Sequence, residues 1–231
     1  MNKYINKIID IIFPPKCACC NKIAEHIICA DCLRDIMRES MRVCKKCGKL
    51  PYSCACKKIN NIDALVFPYF YQGDKLKSAI FKLKKANLYY INEFFAKGMY
   101  NSIKICDKIK LEDISLITCT PRARKSVSLY GYNQAEKLAR LVAELSGIKF
   151  KRVLLSAGRQ KEQKTLSKSE RLINVQGKFI LNKKLDLDYI KEKNIIIIDD
   201  VATTGATLSE CAGVLKASGA GKIYALCAAS T

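Results

Sequence analysis

Two groups of residues in this 231-residue chain could carry chemistry: an acidic pair near one end and a set of cysteines near the other. Asp199 and Asp200 directly follow four consecutive isoleucines, a run that is typical of a strand buried on both faces. A turn of small residues comes next, and from Thr207 onward apolar residues recur at helical spacing. Free N–H groups and the dipole of a helix N-terminus attract negative charge, so this order of elements predicts an anion-binding site.

This stretch resembles the phosphoribosyl-pyrophosphate (PRPP) loop of type I phosphoribosyltransferases, in which an apolar strand precedes Asp-Asp, small residues, Thr-Thr-Gly and Thr. The resemblance implies that Asp199 and Asp200 hold the ribose hydroxyls and reach a Mg²⁺ ion that accompanies PRPP. It also implies that the 5′-phosphate is held by the loop residues, which are Val201, Ala202, Thr203, Thr204, Gly205, Ala206 and Thr207. The alternative is a βαβ unit whose acidic pair only caps the helix.

Cysteine usage points to metal. The N-terminal stretch is too often interrupted by polar residues for a signal peptide, and no run approaches the roughly 18 apolar residues of a membrane span, so we expect a cytoplasmic protein. Thirteen cysteines in such a protein indicate metal ligands rather than disulfides. Eight of them form four close pairs: Cys17, Cys20, Cys29, Cys32, Cys44, Cys47, Cys54 and Cys56.

Two C-x-x-C pairs separated by eight residues can bring four thiolates to one tetrahedral Zn²⁺. We therefore predict one structural zinc site at the first four of these cysteines and a second, looser site at the last four. A crossed arrangement, in which the first and third pairs share a metal, is the alternative. Apolar residues are few in this segment, so the metal is expected to supply its stability.

A change of composition predicts a boundary between a cysteine-rich module of residues 1–62 and a domain of residues 63–231. The module begins with a short amphipathic helix that ends at Pro14-Pro15. In the second domain, apolar strands are predicted near residues 63–71, 116–121 and 195–198, and helices over residues 74–85, 89–104 and 135–146 and from 207 onward. This alternation predicts an α/β fold.

The whole chain resembles the ComF/GntX-type amidophosphoribosyltransferase-like proteins, among them the ComFC-like competence proteins. The resemblance rests on Phe13-Pro14-Pro15-x-Cys, the cysteine pairs, Gly131-Tyr132-Asn133-Gln134-Ala135, a Gln-x-x-Leu-Ser segment at residues 163–179, and the PRPP loop. It implies a double zinc ribbon before a type I phosphoribosyltransferase fold, which is a mostly parallel sheet flanked by helices. It further implies PRPP binding, a phosphoribosyltransferase activity and a role in DNA uptake. A salvage-type phosphoribosyltransferase is an alternative.

The chain departs from that family where an Arg usually precedes the Gly-aromatic-Asn-Gln element, because Tyr130 occupies this position. Pyrophosphate would then be bound by other cations, for which the candidates are Arg122, Arg124, Lys125, Arg159 and Arg171. The basic segment of residues 149–179 has the position of the loop that closes over PRPP in many type I enzymes and excludes water. An ordinary solvated loop is the alternative.

Charge suggests a function of another class. The formal net charge is +20, which favours binding to nucleic acid. We expect single-stranded DNA and the DNA-uptake machinery as partners, with contacts mostly to phosphate. The lysines expected to contribute are Lys57, Lys58, Lys75, Lys77, Lys82, Lys84 and Lys85. In that case the PRPP site could be regulatory or vestigial. The alternative is a compositional bias, because Lys, Ile and Asn are abundant throughout the chain.

Overall fold

The computed structural model describes residue 14 and residues 16–85, 89–122, 133–157 and 177–231. The predicted N-terminal amphipathic helix lies outside these residues. In chain order the strands are β1 (Ala64–Val66), β2 (Tyr69–Phe70), β3 (Leu116–Cys119), β4 (Leu154–Ser156), β5 (Phe179–Leu181), β6 (Ile195–Ala202) and β7 (Ile223–Ser230). The α-helices are α1 (Ala30–Ser40), α2 (Asp74–Lys85), α3 (Tyr89–Ile105), α4 (Gln134–Ser146) and α5 (Ala206–Ala217). None of the helices in these ranges has the length and apolar character needed to cross a membrane.

Five strands form one parallel sheet in the order β1–β7–β6–β3, and β2 pairs with β7 beyond the end of β1. The register places Ile195 beside Ile223 on one side and beside Leu116 on the other. All eight residues of β7 and all four isoleucines of β6 are buried, as expected of central strands covered on both faces. The predicted α/β class with a mostly parallel sheet is confirmed.

Helices cover both faces of the sheet because alternate residues of β6 point to opposite sides. Ile196 and Ile198 lie in a core formed with α2, α3 and α4. Ile195 and Ile197 lie in a second core, formed with α5. The four cysteines that follow residue 62 are buried in these cores, as small apolar side chains, and they are Cys106, Cys119, Cys211 and Cys227.

The cysteine-rich module packs against both cores. Cys17, Cys32 and Ile36 are buried in the same core as Leu76 and Ile80 of α2. On the other side of the sheet, Cys54 and Ile59 are buried in the core that contains α5. The module therefore gains stability from shared apolar contacts as well as from any metal. The domain boundary at residue 62 stays a prediction.

A small antiparallel pair of strands, β4 and β5, was not predicted. These strands flank residues 158–176, which the structure does not describe. Each of these strands is only three residues long. The polar and basic residues around them in the segment 149–179 therefore leave no strand pattern that can be recognised in the sequence.

Candidate functional site

The first cysteine cluster consists of Cys17, Cys20, Cys29 and Cys32, whose sulfur atoms all lie within 4.8 Å of one another. The Sγ atoms of Cys20 and Cys29 are 3.8 Å apart. A tetrahedral zinc ion with Zn–S bonds of about 2.3 Å requires sulfur separations of about 3.8 Å. The cluster therefore has the dimensions of a structural zinc site with four protein ligands.

The second cluster consists of Cys44, Cys47, Cys54 and Cys56, again with all sulfurs within 4.8 Å. The Cys44–Cys56 and Cys47–Cys54 sulfur separations are both 3.8 Å. Each cluster thus joins neighbouring pairs, and the crossed arrangement is wrong. Two four-cysteine clusters of these dimensions support structural zinc.

Backbone N–H groups stabilise the thiolate of one cysteine in each cluster. Those of Cys29 and Cys19 donate to the Cys17 sulfur at 3.3 and 3.4 Å. Burial alone would raise the pKa of Cys17, but these N–H groups lower it to about 6. In the second cluster, the N–H groups of Lys46 and Cys47 lower the pKa of Cys44 to about 6. Both effects favour the thiolate, which is the form that binds zinc.

The acidic pair lies at the carboxyl edge of the sheet, but inside β6 rather than after it. β7 continues to Ser230 and supplies partners for β6 as far as Ala202, so the strand extends past the acids. In parallel α/β sheets, ligands bind at this edge. Neighbouring strand residues point to opposite faces, so the carboxylates of Asp199 and Asp200 have different surroundings.

Asp199 is a half-buried carboxyl group held by two donors. Its Oδ1 accepts from the Thr120 hydroxyl at 2.9 Å and from the Asp200 N–H at 2.9 Å. Burial, together with the charge of Asp200, raises the pKa of Asp199 to about 7, although the hydrogen bonds and Lys84 act in the opposite direction. Asp199 therefore changes its charge near neutral pH.

Asp200 is more accessible, with 23% of its side chain exposed. Its Oδ1 accepts from the Val201 N–H at 2.6 Å, and its Oδ2 lies 3.6 Å from the Lys84 ammonium of α2. The pair of acids does not cap α5, because the N-cap residue of that helix is Gly205 and the two carboxylates accept from Thr120, Asp200 and Val201 instead. The alternative of a capping role for the acids is thus wrong.

The loop after β6 presents the polar groups expected of an anion site. Thr203, Thr204, Ala206 and Thr207 are exposed, and α5 begins at Ala206. Gly205 is buried and has φ +82°, a left-handed conformation that side chains disfavour. The N-cap glycine has no side chain to bond the first amides of α5, and the Ala206 N–H donates to the Thr204 hydroxyl oxygen at 3.3 Å.

Of the five predicted pyrophosphate-binding cations, the structure describes only Arg122. Its guanidinium donates to Gln134 Oε1, and the Gln134 amide in turn donates to the Lys84 carbonyl. Asn133 donates to the Thr120 carbonyl at 3.2 Å. The Asn-Gln element therefore joins the start of α4 to the acidic edge. The other four candidates, Arg124, Lys125, Arg159 and Arg171, lie outside the described residues.

Two lysines at the site were expected only as surface charges. Lys84 faces Asp200, as described above. Lys57 extends across the end of β6, where its ammonium donates to the carbonyl oxygens of Ala202 (2.8 Å), Thr203 and Thr231 (3.1 Å). Burial lowers the pKa of Lys57. A third lysine, Lys82, donates to Asn21 beside the first cluster. These lysines bind protein groups and do not form a free basic surface.

A groove of about 870 Å³ lies between the second cluster and the carboxyl ends of β2 and β7. Its apolar lining includes Met41, Val43, Phe67 and Phe70, and its basic lining is Arg42, Lys45, Lys46, Lys57 and Lys58. No Asp or Glu is among the described residues that line it. The groove is therefore lined by apolar and positively charged side chains.

Comparison with known proteins gives matches for both parts of the chain. Residues 8–60 match the family model of the double zinc ribbon domain. The chain is 26% identical over 216 residues to Competence protein F of Haemophilus influenzae, an alignment that covers 87% of this chain and 89% of that protein.

Two solved structures are also similar. The first is the allosteric regulatory enzyme of purine biosynthesis (TM-score 0.37, 17% identity, 68% of this chain and 27% of that chain). The second is the glutamine PRPP amidotransferase from B. subtilis complexed with ADP and GMP (TM-score 0.43, 15% identity, 63% of this chain and 30% of that chain). The chain spans less than a third of the length of either structure. The zinc-ribbon match and the similarity to Competence protein F confirm the predicted resemblance: the chain matches a double zinc ribbon in its N-terminal part, has a mostly parallel α/β sheet after it, and is similar to a competence protein along most of its length.

Proposed function

We propose that this protein binds PRPP at the carboxyl edge of its sheet and acts as a phosphoribosyltransferase-like protein. One observation carries the proposal: two carboxylates at the end of a buried strand precede a loop that leads into α5, and the N-cap residue of this helix is a glycine. A carboxylate pair suits the vicinal hydroxyls of a ribose, and the loop amides suit its 5′-phosphate. The assignment of the α/β domain to the type I phosphoribosyltransferase fold belongs to this proposal, as do the roles of Asp199, Asp200 and residues 201–207.

The residues of this chain would act mainly by position and charge. Asp199 and Asp200 would accept hydrogen bonds from the ribose, and the exposed hydroxyls of Thr203, Thr204 and Thr207 would donate to the phosphate. Carboxylate oxygens are ligands that Mg²⁺ prefers, and Asp200 Oδ2, whose contact with Lys84 is as long as 3.6 Å, is suited to it. Mg²⁺ bound with PRPP would neutralise part of the pyrophosphate charge.

The protonation of Asp199 gives the proposed site a pH dependence. With a pKa of about 7, Asp199 is partly protonated at neutral pH, and only its ionised form accepts a ribose hydroxyl at both oxygens. PRPP affinity should therefore increase as the pH rises from 6 to 8.

Transfer chemistry is tested by pyrophosphate release. The protein would be incubated with PRPP and Mg²⁺ and with a panel of acceptors that includes ammonia, nucleobases and single-stranded DNA. Release that depends on one acceptor supports a transferase and identifies its substrate class. PRPP binding without release for any acceptor favours the alternative, a PRPP site that is regulatory or vestigial.

A second candidate function is binding of single-stranded DNA, which the groove favours. Phe70 and Val43 offer apolar surface on which bases could stack, and the exposed Lys45, Lys46 and Lys58 are suited to backbone phosphates. The similarity to Competence protein F supports a role in DNA uptake. Retention of a fluorescent oligonucleotide at low salt tests this function, and it is compatible with PRPP binding in the same protein.

A further inference from the structure

The chain leaves the second cysteine cluster at Cys56 and passes directly over the proposed phosphate loop. We define residues 57–59 as the strap. The Lys57 ammonium donates to three backbone carbonyls, two of which, those of Ala202 and Thr203, belong to the loop. The third belongs to Thr231, whose hydroxyl oxygen is also 3.1 Å away. The strap thus joins the cluster, the loop and the end of β7.

The other end of the strap fixes the loop by contact. Ile59 is buried, and its side chain lies so close to Gly205 that a Cβ added there would be 2.7 Å from Ile59 Cγ1 and Cδ1. Ile59 belongs to the same core as Leu208 of α5. The strap therefore contacts the loop at two points: Lys57 donates hydrogen bonds to its carbonyl oxygens, and the Ile59 side chain packs against Gly205.

These carbonyl contacts help to set where the loop amides point, together with Ser230 and Thr231. The Ala202 carbonyl also accepts from the Thr231 N–H and the Ser230 hydroxyl, and the Thr203 carbonyl from the Thr231 hydroxyl. A trans peptide directs its C=O and N–H in opposite directions. When Lys57 holds the carbonyls of Ala202 and Thr203, the N–H groups of Thr203 and Thr204 point away from the strap. The positive charge on the carbonyl side also polarises these peptides and strengthens their N–H groups as donors. An anion on the opposite side of the loop would therefore accept hydrogen bonds from N–H groups that already point towards it.

The position of the strap depends on the second cluster. Cys56 precedes Lys57 directly, and both Cys56 and Cys47 are exposed, so burial does not hold them. Residues 54–59 have no regular secondary structure. Thiolate–metal bonds are strong and geometrically defined, and they would fix the start of the strap. The first cluster differs, because it packs against α2 and contacts the loop through none of its described residues.

We propose that metal bound at the second cluster positions the phosphate loop through the strap, with Lys57 as the positioning residue. This inference rests on the proposed function of the loop. It gives the two metal sites different roles: the first stabilises the fold, and the second also sets anion affinity. Because coupling between two sites is reciprocal, PRPP should in turn increase the zinc affinity of the second cluster.

The first experiment measures PRPP affinity calorimetrically for the zinc-saturated wild type, Lys57→Met and Lys193→Met. Lys193 is the control, since it is an exposed lysine outside the strap, the loop and the groove. We expect Lys57→Met to bind at least tenfold more weakly, and Lys193→Met to remain within about twofold of wild type. Circular dichroism and zinc content establish that each variant is folded and loaded.

The second experiment measures the zinc affinity of each cluster by competition with a chromogenic chelator, with and without PRPP. PRPP should increase the affinity of one of two zinc ions in the wild type and neither in Lys57→Met. Equal PRPP affinity in wild type and Lys57→Met, or zinc affinities unaffected by PRPP, would overturn the role of the strap. A wild type that binds neither PRPP nor inorganic phosphate would overturn the proposed function itself, and the strap proposal with it.

Discussion

At the scale of one residue, the placement of Asp199 at the proposed ligand site lowers the stability of the folded protein when its carboxyl group is ionised. Its carboxyl group is half-buried beside a second carboxylate, and its folded-state pKa of about 7 is raised from the ordinary 3.8. A raised pKa for an acid means that the folded protein binds the proton more tightly than the unfolded chain does. Its contribution to stability is therefore most favourable below pH 3.8 and is lost as the pH rises through 7.

Replacement of Asp199 by Asn should consequently stabilise the protein at alkaline pH. The amide oxygen can still accept from Thr120, but the buried charge is absent. Thermal unfolding at pH 8 should show a gain of a few kcal/mol, since one pKa unit corresponds to about 1.4 kcal/mol. At pH 5, where Asp199 is protonated in the folded protein but ionised in the unfolded chain, the gain should be smaller than at pH 8. A variant less stable than wild type at pH 8 would contradict the raised pKa.

Gly205 makes a second prediction at this scale. Gly205→Ala introduces a side chain at φ +82° and places its Cβ against Ile59. Gly219→Ala is a matched control, because Gly219 has φ +85° while the nearest atom to an added Cβ is 3.5 Å away. Backbone strain should cost each variant about 1–3 kcal/mol in urea unfolding. Gly205→Ala should lose more, and the difference measures the Ile59 contact. Equal losses would mean that Ile59 moves aside freely.

Local patterns identified Asp199, Asp200 and the cysteine pairs from the sequence because each stands within a few residues of its partners. Lys57 could not be identified in this way. It is separated from Ala202 by 145 positions, and it resembles many other lysines of the chain. Lys84 was predicted as one of the lysines that contact DNA, and nothing local distinguished it from the others. Only the three-dimensional structure places these two ammonium groups at the site.

At the scale of elements, hydrophobic periodicity was sufficient for the helices. The predicted helix over residues 74–85 coincides with α2, and the predictions for α3 and α4 differ from the structure by one residue. The extension of β6 to Ala202 could not be predicted, because it depends on pairing with β7, more than twenty residues away. β4 and β5 could not be predicted for the same reason, because each is a strand only through its pairing with the other.

The two zinc sites are separate elements and should respond differently to mutation. Purified protein should contain two zinc ions per chain by elemental analysis, and Cys47→Ser should contain one. Cys32 is buried in a core shared with α2, so Cys32→Ser should lower the unfolding temperature of the whole chain. Cys47 is exposed, and its replacement should have a smaller effect. A single zinc ion per wild-type chain would show that the second cluster does not bind zinc.

At the scale of the whole molecule, the parallel sheet gathers distant segments at one edge. The ends of β3 and β6, the end of α2 and the strap meet there, and the basic groove lies beside them. The net charge of +20 was evident from the sequence, but its distribution was not. Lys82 and Lys84, which seemed available for DNA, contact Asn21 and Asp200. The side chain of Lys85 lies outside the described residues.

DNA binding should therefore depend on the groove lysines. The combined change Lys45→Gln, Lys46→Gln and Lys58→Gln should reduce the slope of log affinity against log salt by about two units, since each phosphate contact contributes about 0.7 for single strands. The control changes are Lys110→Gln, Lys184→Gln and Lys193→Gln, which remove three exposed charges elsewhere. Fluorescence anisotropy with an oligonucleotide provides the measurement. Equal effects of both triple variants would indicate a diffuse charge effect rather than a site.

The central claim is that the acidic edge binds PRPP, and calorimetric titration of PRPP with Mg²⁺ tests it most directly. Asp200→Ala removes a partly exposed carboxylate and should weaken binding by about 10- to 150-fold, the equivalent of a charge-assisted hydrogen bond of about 1.5–3 kcal/mol. Replacement of Asp188, an exposed acid that precedes β6 in the chain, by Ala should leave binding as in wild type. Equal PRPP affinity in wild type and Asp200→Ala, or no binding by the wild type, would contradict the assignment.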